Sequence, residues 1–378
     1  MCKKFLFLVP TLEIGGAEIS TIVLINKLSK ENNIINILTC KEDGVLRKTI
    51  DSKVRIIELP HKKLSRCVFS ISSHIKKFKP NVIFSIIFNC NIIAMFSTFI
   101  SRHQCLKIIS ERQSTFISLR EYSFFNRQII KIISLIAFSY SDKIIAVSNG
   151  VKNDLAQIFP LIKPKILTIY NGFNIKKINK EIIKKPENDK FNNLKKRKNT
   201  KILLACGRLA DQKGFISLIK ASIILKKYIN FHLFIIGEGP QRNELEKFIS
   251  KENLKEYISL IGKVDNPFTF MAKSDLFILS SKSEGLPGVI IQALICNTQV
   301  ISTDCPHGPR EILQNGLYGN LVKVNDHIQL AKGIIHQLNN PILYDKEEIK
   351  NKYDIECTIK EYKKILNTSN VRDHRNNK

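Results

Sequence analysis

The sequence predicts an α/β protein built of two doubly wound domains in tandem, and three observations carry that expectation. The 378 residues exceed what one hydrophobic core usually organises, at about 150 residues per domain. Short apolar, β-branched segments alternate with helix-period segments from the first residue, the pattern of a parallel sheet covered by helices. The alternation breaks off once, in a polar stretch rich in Lys, Asn and Glu, and then restarts.

In the first half, strands are expected near 3–9, 34–39, 54–59, 82–88, 107–110 and 143–147, where Val, Ile, Leu and Phe gather in short runs. These form one domain, 1–172. The segment 173–200, NIKKINKEIIKKPENDKFNNLKKRKNT after Phe173, has few large apolar residues and is expected to be an exposed basic connector. Strands near 202–206, 232–236, 257–261, 276–279 and 300–303, with a helix near 215–228, then make a second domain at 201–340. Helices are expected over 341–367, with apolar spacing at Ile355, Ile359, Tyr362 and Leu366, and a disordered tail over 368–378.

Composition narrows the function. A hydrophobic fraction of 44% and a charged fraction of 25% are those of a globular protein. The net charge of +27 calls for an anionic partner: nucleic acid, an acidic membrane or phosphate-bearing small molecules. No zinc-finger spacing, basic zipper or RNP-type aromatic motif favours nucleic acid. The 9 cysteines, dispersed and without a C-x-x-C pair, are expected to be reduced thiols of a cytoplasmic protein. The start MCKKFLFLVP meets Pro10 and Glu13 too soon for a secretory signal, and the apolar run 82–100 is interrupted by Asn89 and Asn91, so a strand feeding a core helix is expected there rather than a membrane span.

The motifs lie at strand ends. Gly15 and Gly16 follow the first strand and open a helix, where bare backbone N–H groups and the helix dipole favour a phosphate; a tight packing turn is the plainer alternative. GRLADQKG, residues 207–214, follows a strand and projects Arg208 and Lys213 from the carboxyl edge of the sheet, where ligands of doubly wound folds bind. IIGEGP, from Ile235, lacks the third glycine of a dinucleotide fingerprint and any Walker-type G-K-[ST], and no D-x-D metal pair is present. SSKSEGLPGVIIQALICNTQVISTDCPHGPREIL, from Ser280, ends a strand and turns through Glu284, Gly285, Leu286, Pro287 and Gly288 into a helix, so that a carboxylate and several N–H groups converge. Gln292 lies two helical turns beyond Glu284, within reach of hydroxyls.

On these segments, GGAE, GRLADQKG, IIGEGP, SEGLPGVIIQAL and STDCPHGPREIL in that order, the chain resembles family 4 of the retaining glycosyltransferases. The resemblance implies the GT-B fold, two Rossmann-like domains facing each other across a cleft, with 341–367 crossing back to the first. It implies that Gly15 and Gly16 lie against the donor diphosphate and sugar, and that Arg208 and Lys213 neutralise the diphosphate. Glu284 would hold sugar hydroxyls, the amides of Gly285 to Val289 would line the sugar site, and Lys263 and Val264 would lie near the nucleobase. Two positions depart from the family. Gln292 stands where a second Glu usually binds ribose, and Ser110, Glu111 and Arg112 stand where many members carry a His, which makes Glu111 a candidate to face the reacting centre.

The function so implied is metal-independent, cofactor-free transfer of a hexose or N-acetylhexosamine, with UDP-N-acetylgalactosamine the expected donor. The expected acceptor is a lipid-linked glycan of a bacterial surface polysaccharide. Basic, apolar segments from His61 and from Arg127 fit either an anionic bilayer or a core-facing role with solvated lysines. The expected location is therefore cytoplasmic and peripheral, at the inner face of the cell membrane. A sugar-nucleotide 2-epimerase of the same fold, a nucleic-acid-binding protein and a silent relative remain the rivals.

Overall fold

The computed structural model describes residues 2–13, 15–120, 122–197 and 199–368; the tail expected over 368–378 lies, but for residue 368, outside them. The described chain forms two compact units, one of residues up to 173 together with those from 354 to 368, and one of residues 174–353.

In the first unit seven strands, β1 (Lys4–Leu8), β2 (Ile34–Thr39), β3 (Arg55–Glu58), β4 (Val82–Ile86), β5 (Leu106–Glu111), β6 (Lys143–Ala146) and β7 (Ile166–Thr168), form one parallel sheet. Its order is β3-β2-β1-β4-β5-β6-β7. β1 pairs with β2 on one side and β4 on the other, Phe5 standing opposite Ile35 and Val82. Strands covered on both faces must be apolar throughout, and β4 is buried at every residue. The apolar run that continues past β4 becomes the helix Phe88–Ser101, and no described helix is long and apolar enough to cross a membrane. Its mid-run Asn91 is fully buried and satisfied: it accepts from Ser85 Oγ at 2.7 Å and donates to the Ser110 carbonyl at 3.0 Å. The helix Ile355–Thr368 belongs to this unit, with Ile355, Ile359 and Tyr362 in its core and the Tyr362 ring 5.7 Å from Phe84.

The second unit holds β8 (Lys201–Cys206), β9 (Phe231–Ile236), β10 (Ile258–Gly262), β11 (Leu276–Leu279), β12 (Val300–Thr303) and β13 (Asn320–Val322), parallel and ordered β10-β9-β8-β11-β12-β13. Strand succession runs outward from β8 through β9 to β10 and then resumes on the other side at β11. The β8/β11 boundary is therefore the switch point at which doubly wound sheets bind ligands.

The expected exposed connector is exposed over much of its length, but it is part of the second unit. Residues 174–200 carry two short helices, Ile175–Glu181 and Asp189–Lys195, and belong to the second unit. Phe191 is fully buried, its ring 5.0 Å from Phe234 and 4.9 Å from Phe270. A few well-spaced apolar anchors outweigh a polar composition. β7 and β13, three residues each, were not expected from the sequence.

Candidate functional site

GRLADQKG leaves β8 and SSKSEGLPG leaves β11, so both loops rise from the switch point of the second sheet. The loops are bonded to each other. The Lys282 N–H donates to the Gln212 carbonyl at 2.7 Å, Gln212 Nε2 donates to the Ser283 carbonyl at 2.9 Å, and Ser280 Oγ donates to the Lys213 carbonyl at 2.8 Å. Gly214 makes the close approach possible: its φ is +64°, and a methyl group there would overlap the Ser280 carbonyl oxygen.

These bonds bring Lys213 Nζ to 2.7 Å from Glu284 Oε1, which also accepts from Ser281 Oγ at 2.6 Å. Both partners are largely buried and the Lys213 stem lies across Gly207. Burial and two charge-assisted bonds fix the carboxylate, while the ammonium keeps donors to spare for a second anion. Arg208 sits at the same loop, exposed and in no ion pair among the described residues. Beyond Glu284, buried Gly285, Leu286 and Pro287 lead to the helix Gly288–Ile295, with Pro287 as its N-cap and no side-chain cap. The first-turn N–H groups at Gly288 and Val289 thus belong to an uncapped helix start beside a cationic loop. Gln292 is half-buried on that helix.

A backing residue escaped the sequence reading. Gly308, in the PHGPR segment after β12, has φ +92°, and a methyl group there would collide with Pro287 and the Leu286 backbone. The Glu284 N–H donates to the Pro306 carbonyl at 3.1 Å. Glycine beside proline at 307–309 was the available signal. Lys263, exposed, and Val264, half-buried, follow β10, two strands from β8, or roughly 10 Å at the usual strand spacing.

In the first unit, Gly15 is the N-cap and Gly16 the first residue of the helix Gly16–Ser29, after β1 and at the β1/β4 switch point. No side chain caps that helix, and Gly16 has open space where a side chain would stand. The Glu18 carboxylate folds back over Gly15, and burial raises its pKa.

Glu111, the candidate to face the reacting centre, ends β5. It is fully buried, with its carboxylate turned inward to accept from Asn91 Nδ2 at 2.7 Å, and its second oxygen has no hydrogen-bond partner. Burial pushes its pKa up to about 8. Arg112 instead reaches the helix after Gly16: its guanidinium donates to Ser20 Oγ at 3.0 Å and to Asn171 Oδ1.

Comparison with known proteins gives the family and the fold. Residues 186–354 match the family described as glycosyl transferases group 1, and residues 14–177 that described as glycosyltransferase family 4. A Staphylococcus aureus capsular polysaccharide biosynthesis glycosyltransferase, CapH, is 31% identical over 77% of this chain and 78% of its own. A Campylobacter jejuni N-acetylgalactosamine-N,N'-diacetylbacillosaminyl-diphospho-undecaprenol 4-alpha-N-acetylgalactosaminyltransferase is 31% identical over 60% of this chain and 59% of its own. An uncharacterized glycosyltransferase of Methanocaldococcus jannaschii is 37% identical over 47% of this chain, so these last two matches span only 59% and 43% of those proteins. Among solved structures, Anabaena HepE in complex with UDP-glucose aligns with TM-score 0.79 at 18% identity, over 97% of this chain and 100% of that one. That likeness shows the GT-B fold.

Proposed function

Because the chain belongs to the group 1 and family 4 glycosyltransferases, we propose that it transfers a hexose or N-acetylhexosamine, retaining the anomeric configuration, from a UDP-sugar to a lipid-linked glycan of a bacterial surface polysaccharide. The observation that carries the reading is the Lys213–Glu284 pair at the β8/β11 switch point. A cation for a diphosphate and a fixed carboxylate for sugar hydroxyls stand side by side, next to an uncapped helix start. The names of relatives support the substrate classes: one uses a diphospho-undecaprenol acceptor, one acts in capsule synthesis, and HepE was solved with UDP-glucose. UDP-N-acetylgalactosamine is the first donor to try.

In this reading Lys213 and Arg208 hold the diphosphate, and Glu284 orients the sugar. The bond from the anomeric carbon to the diphosphate oxygen breaks while the acceptor hydroxyl attacks on the same face and yields its proton to the departing diphosphate. Lys213 and Arg208 stabilise the charge as it develops. No protein nucleophile and no metal take part. A lipid-linked acceptor would set the reaction at a membrane surface.

The test incubates the protein with UDP-N-acetylgalactosamine and a saccharide on undecaprenyl diphosphate. Mass spectrometry should show one added residue, only with acceptor present, and NMR an α-linked product. Epimerised donor without acceptor, or no transfer from any UDP-sugar, would refute the reading.

A further inference from the structure

The helix Gly16–Ser29 has no side chain at its N-cap, Gly15, and Glu18 stands at its third position with the carboxylate turned back over that glycine. The three nearest atoms that a methyl group on Gly15 would meet all belong to this carboxylate. Glu18 is half-buried, and its carboxylate lies against its own backbone N–H, one of the amides that no helical carbonyl satisfies. A carboxylate so placed gains from the amide and from the helix dipole. The place at which the sequence analysis expects a diphosphate is thus held by an anion of the chain itself.

That anion has no cation paired to it. Among the described residues Glu18 makes no ion pair, and burial raises its carboxyl above the ordinary range against the pull of its own amide and of the Arg112 charge. Arg112, the residue after β5, makes no ion pair among the described residues either. Groups from three other segments hold it in place. Its guanidinium donates to Ser20 Oγ at 3.0 Å, to Thr21 Oγ1 at 3.4 Å and to Asn171 Oδ1, and the Tyr362 hydroxyl lies beside it. Its Nε–H is shielded from solvent and has no acceptor, which is costly for a charged donor. A fixed cation with an unused donor therefore stands near a carboxylate that is paired with none.

We propose that Glu18 is a carboxylate gate at this helix start: it occupies the amides while the position is empty, yields them to the diphosphate of the nucleotide sugar by moving to the Arg112 guanidinium, and returns to displace the nucleoside diphosphate once the sugar has been transferred. In the displaced state the carboxylate supplies the acceptor that the Arg112 Nε–H lacks, and the phosphate takes the amides, so the exchange leaves no polar group bare. A ligand without charge gains nothing from the exchange, which makes Glu18 a determinant of specificity for the diphosphate. A purely structural role, that of a third-position glutamate capping its helix, predicts lost stability on substitution and unchanged handling of UDP. The inference rests on the UDP-sugar reading above and on the anion position expected at Gly15 and Gly16.

Glu18→Gln keeps the length of the side chain and removes its charge. In the full chain it should bind UDP about fivefold tighter than wild type or more by calorimetry, and bind uridine, which has no phosphate, no tighter. In steady-state transfer from UDP-N-acetylgalactosamine, kcat and the donor KM should fall together and inhibition by added UDP should strengthen, the signature of slowed product release. Arg112→Gln should weaken UDP binding in the wild-type background and have far less effect in Glu18→Gln, where no carboxylate needs the cation. Unchanged UDP affinity in Glu18→Gln, a gain for uridine equal to that for UDP, or equal effects of Arg112→Gln in both backgrounds would overturn the proposal. UDP binding that depends on Arg208 and Lys213 but is indifferent to Glu18→Gln would refute the gate and leave the donor reading standing, whereas a wild-type chain that binds neither UDP nor a UDP-sugar would refute both.

Discussion

Lys213 Nζ lies 2.7 Å from Glu284 Oε1, and that contact joins the two loops that leave the switch point of the second sheet. In the proposed reading the two side chains have separable tasks. Lys213→Ala removes the cation proposed to hold the diphosphate and is expected to weaken UDP binding by about tenfold or more. Glu284→Gln keeps the shape and frees the ammonium, so UDP binding should stay within a few-fold of wild type while transfer falls by about a hundredfold. Calorimetry with UDP beside initial rates with the UDP-sugar separates the two; equal losses in both quantities for both variants would show that they share one role.

Two glycines separate folding from function. Gly214 has φ +64° and no room for a methyl group against Ser280, so Gly214→Ala should cost a few kcal/mol, on the order of 2–4, and lower the melting temperature. Gly16 starts a helix with open space beside it, so Gly16→Ala should leave stability within about 1 kcal/mol of wild type or raise it. If Gly16 meets the donor, transfer is nonetheless lost. Full activity in Gly16→Ala would remove Gly16 from the site.

Glu111 makes stability depend on pH. Burial raises its carboxyl from an ordinary 4.5 to about 8, so the folded chain holds a proton there that the unfolded chain releases. The associated stability is fully present below pH 4.5 and is lost as pH rises through about 8, at up to about 1.4 kcal/mol per unit. Glu111→Gln should flatten melting temperature against pH over that window and be the more stable protein at its upper end. Parallel profiles for the two proteins would mean that the carboxyl titrates normally.

Much of this was legible in the sequence because buried parallel strands are apolar from end to end. Eleven strands stand within a few residues of their expected places. The two that were missed, Ile166–Thr168 and Asn320–Val322, are three residues long and owe their conformation to the neighbouring strand rather than to their own pattern. The loop residues Arg208, Lys213 and Glu284 were legible from glycine-rich turns at strand ends. The direction in which Glu111 points was not, because it is decided by Asn91, which lies 20 positions earlier in the chain.

The segment 174–200 shows the same limit, since composition cannot rank a single anchor. Phe191 is fully buried between Phe234 and Phe270. Phe191→Ala is expected to cost about 3–5 kcal/mol, read by denaturant unfolding. A loss below about 1 kcal/mol would return the segment to the class of surface connectors.

The donor site at the β8/β11 switch point is the central claim, and calorimetric UDP binding at physiological salt without divalent metal tests it most directly, in the wild-type chain and in the double variant Arg208→Ala with Lys213→Ala. The account predicts measurable binding by the wild type and its disappearance in the double variant, with the melting temperature preserved. UDP binding that survives the double substitution unchanged would contradict it.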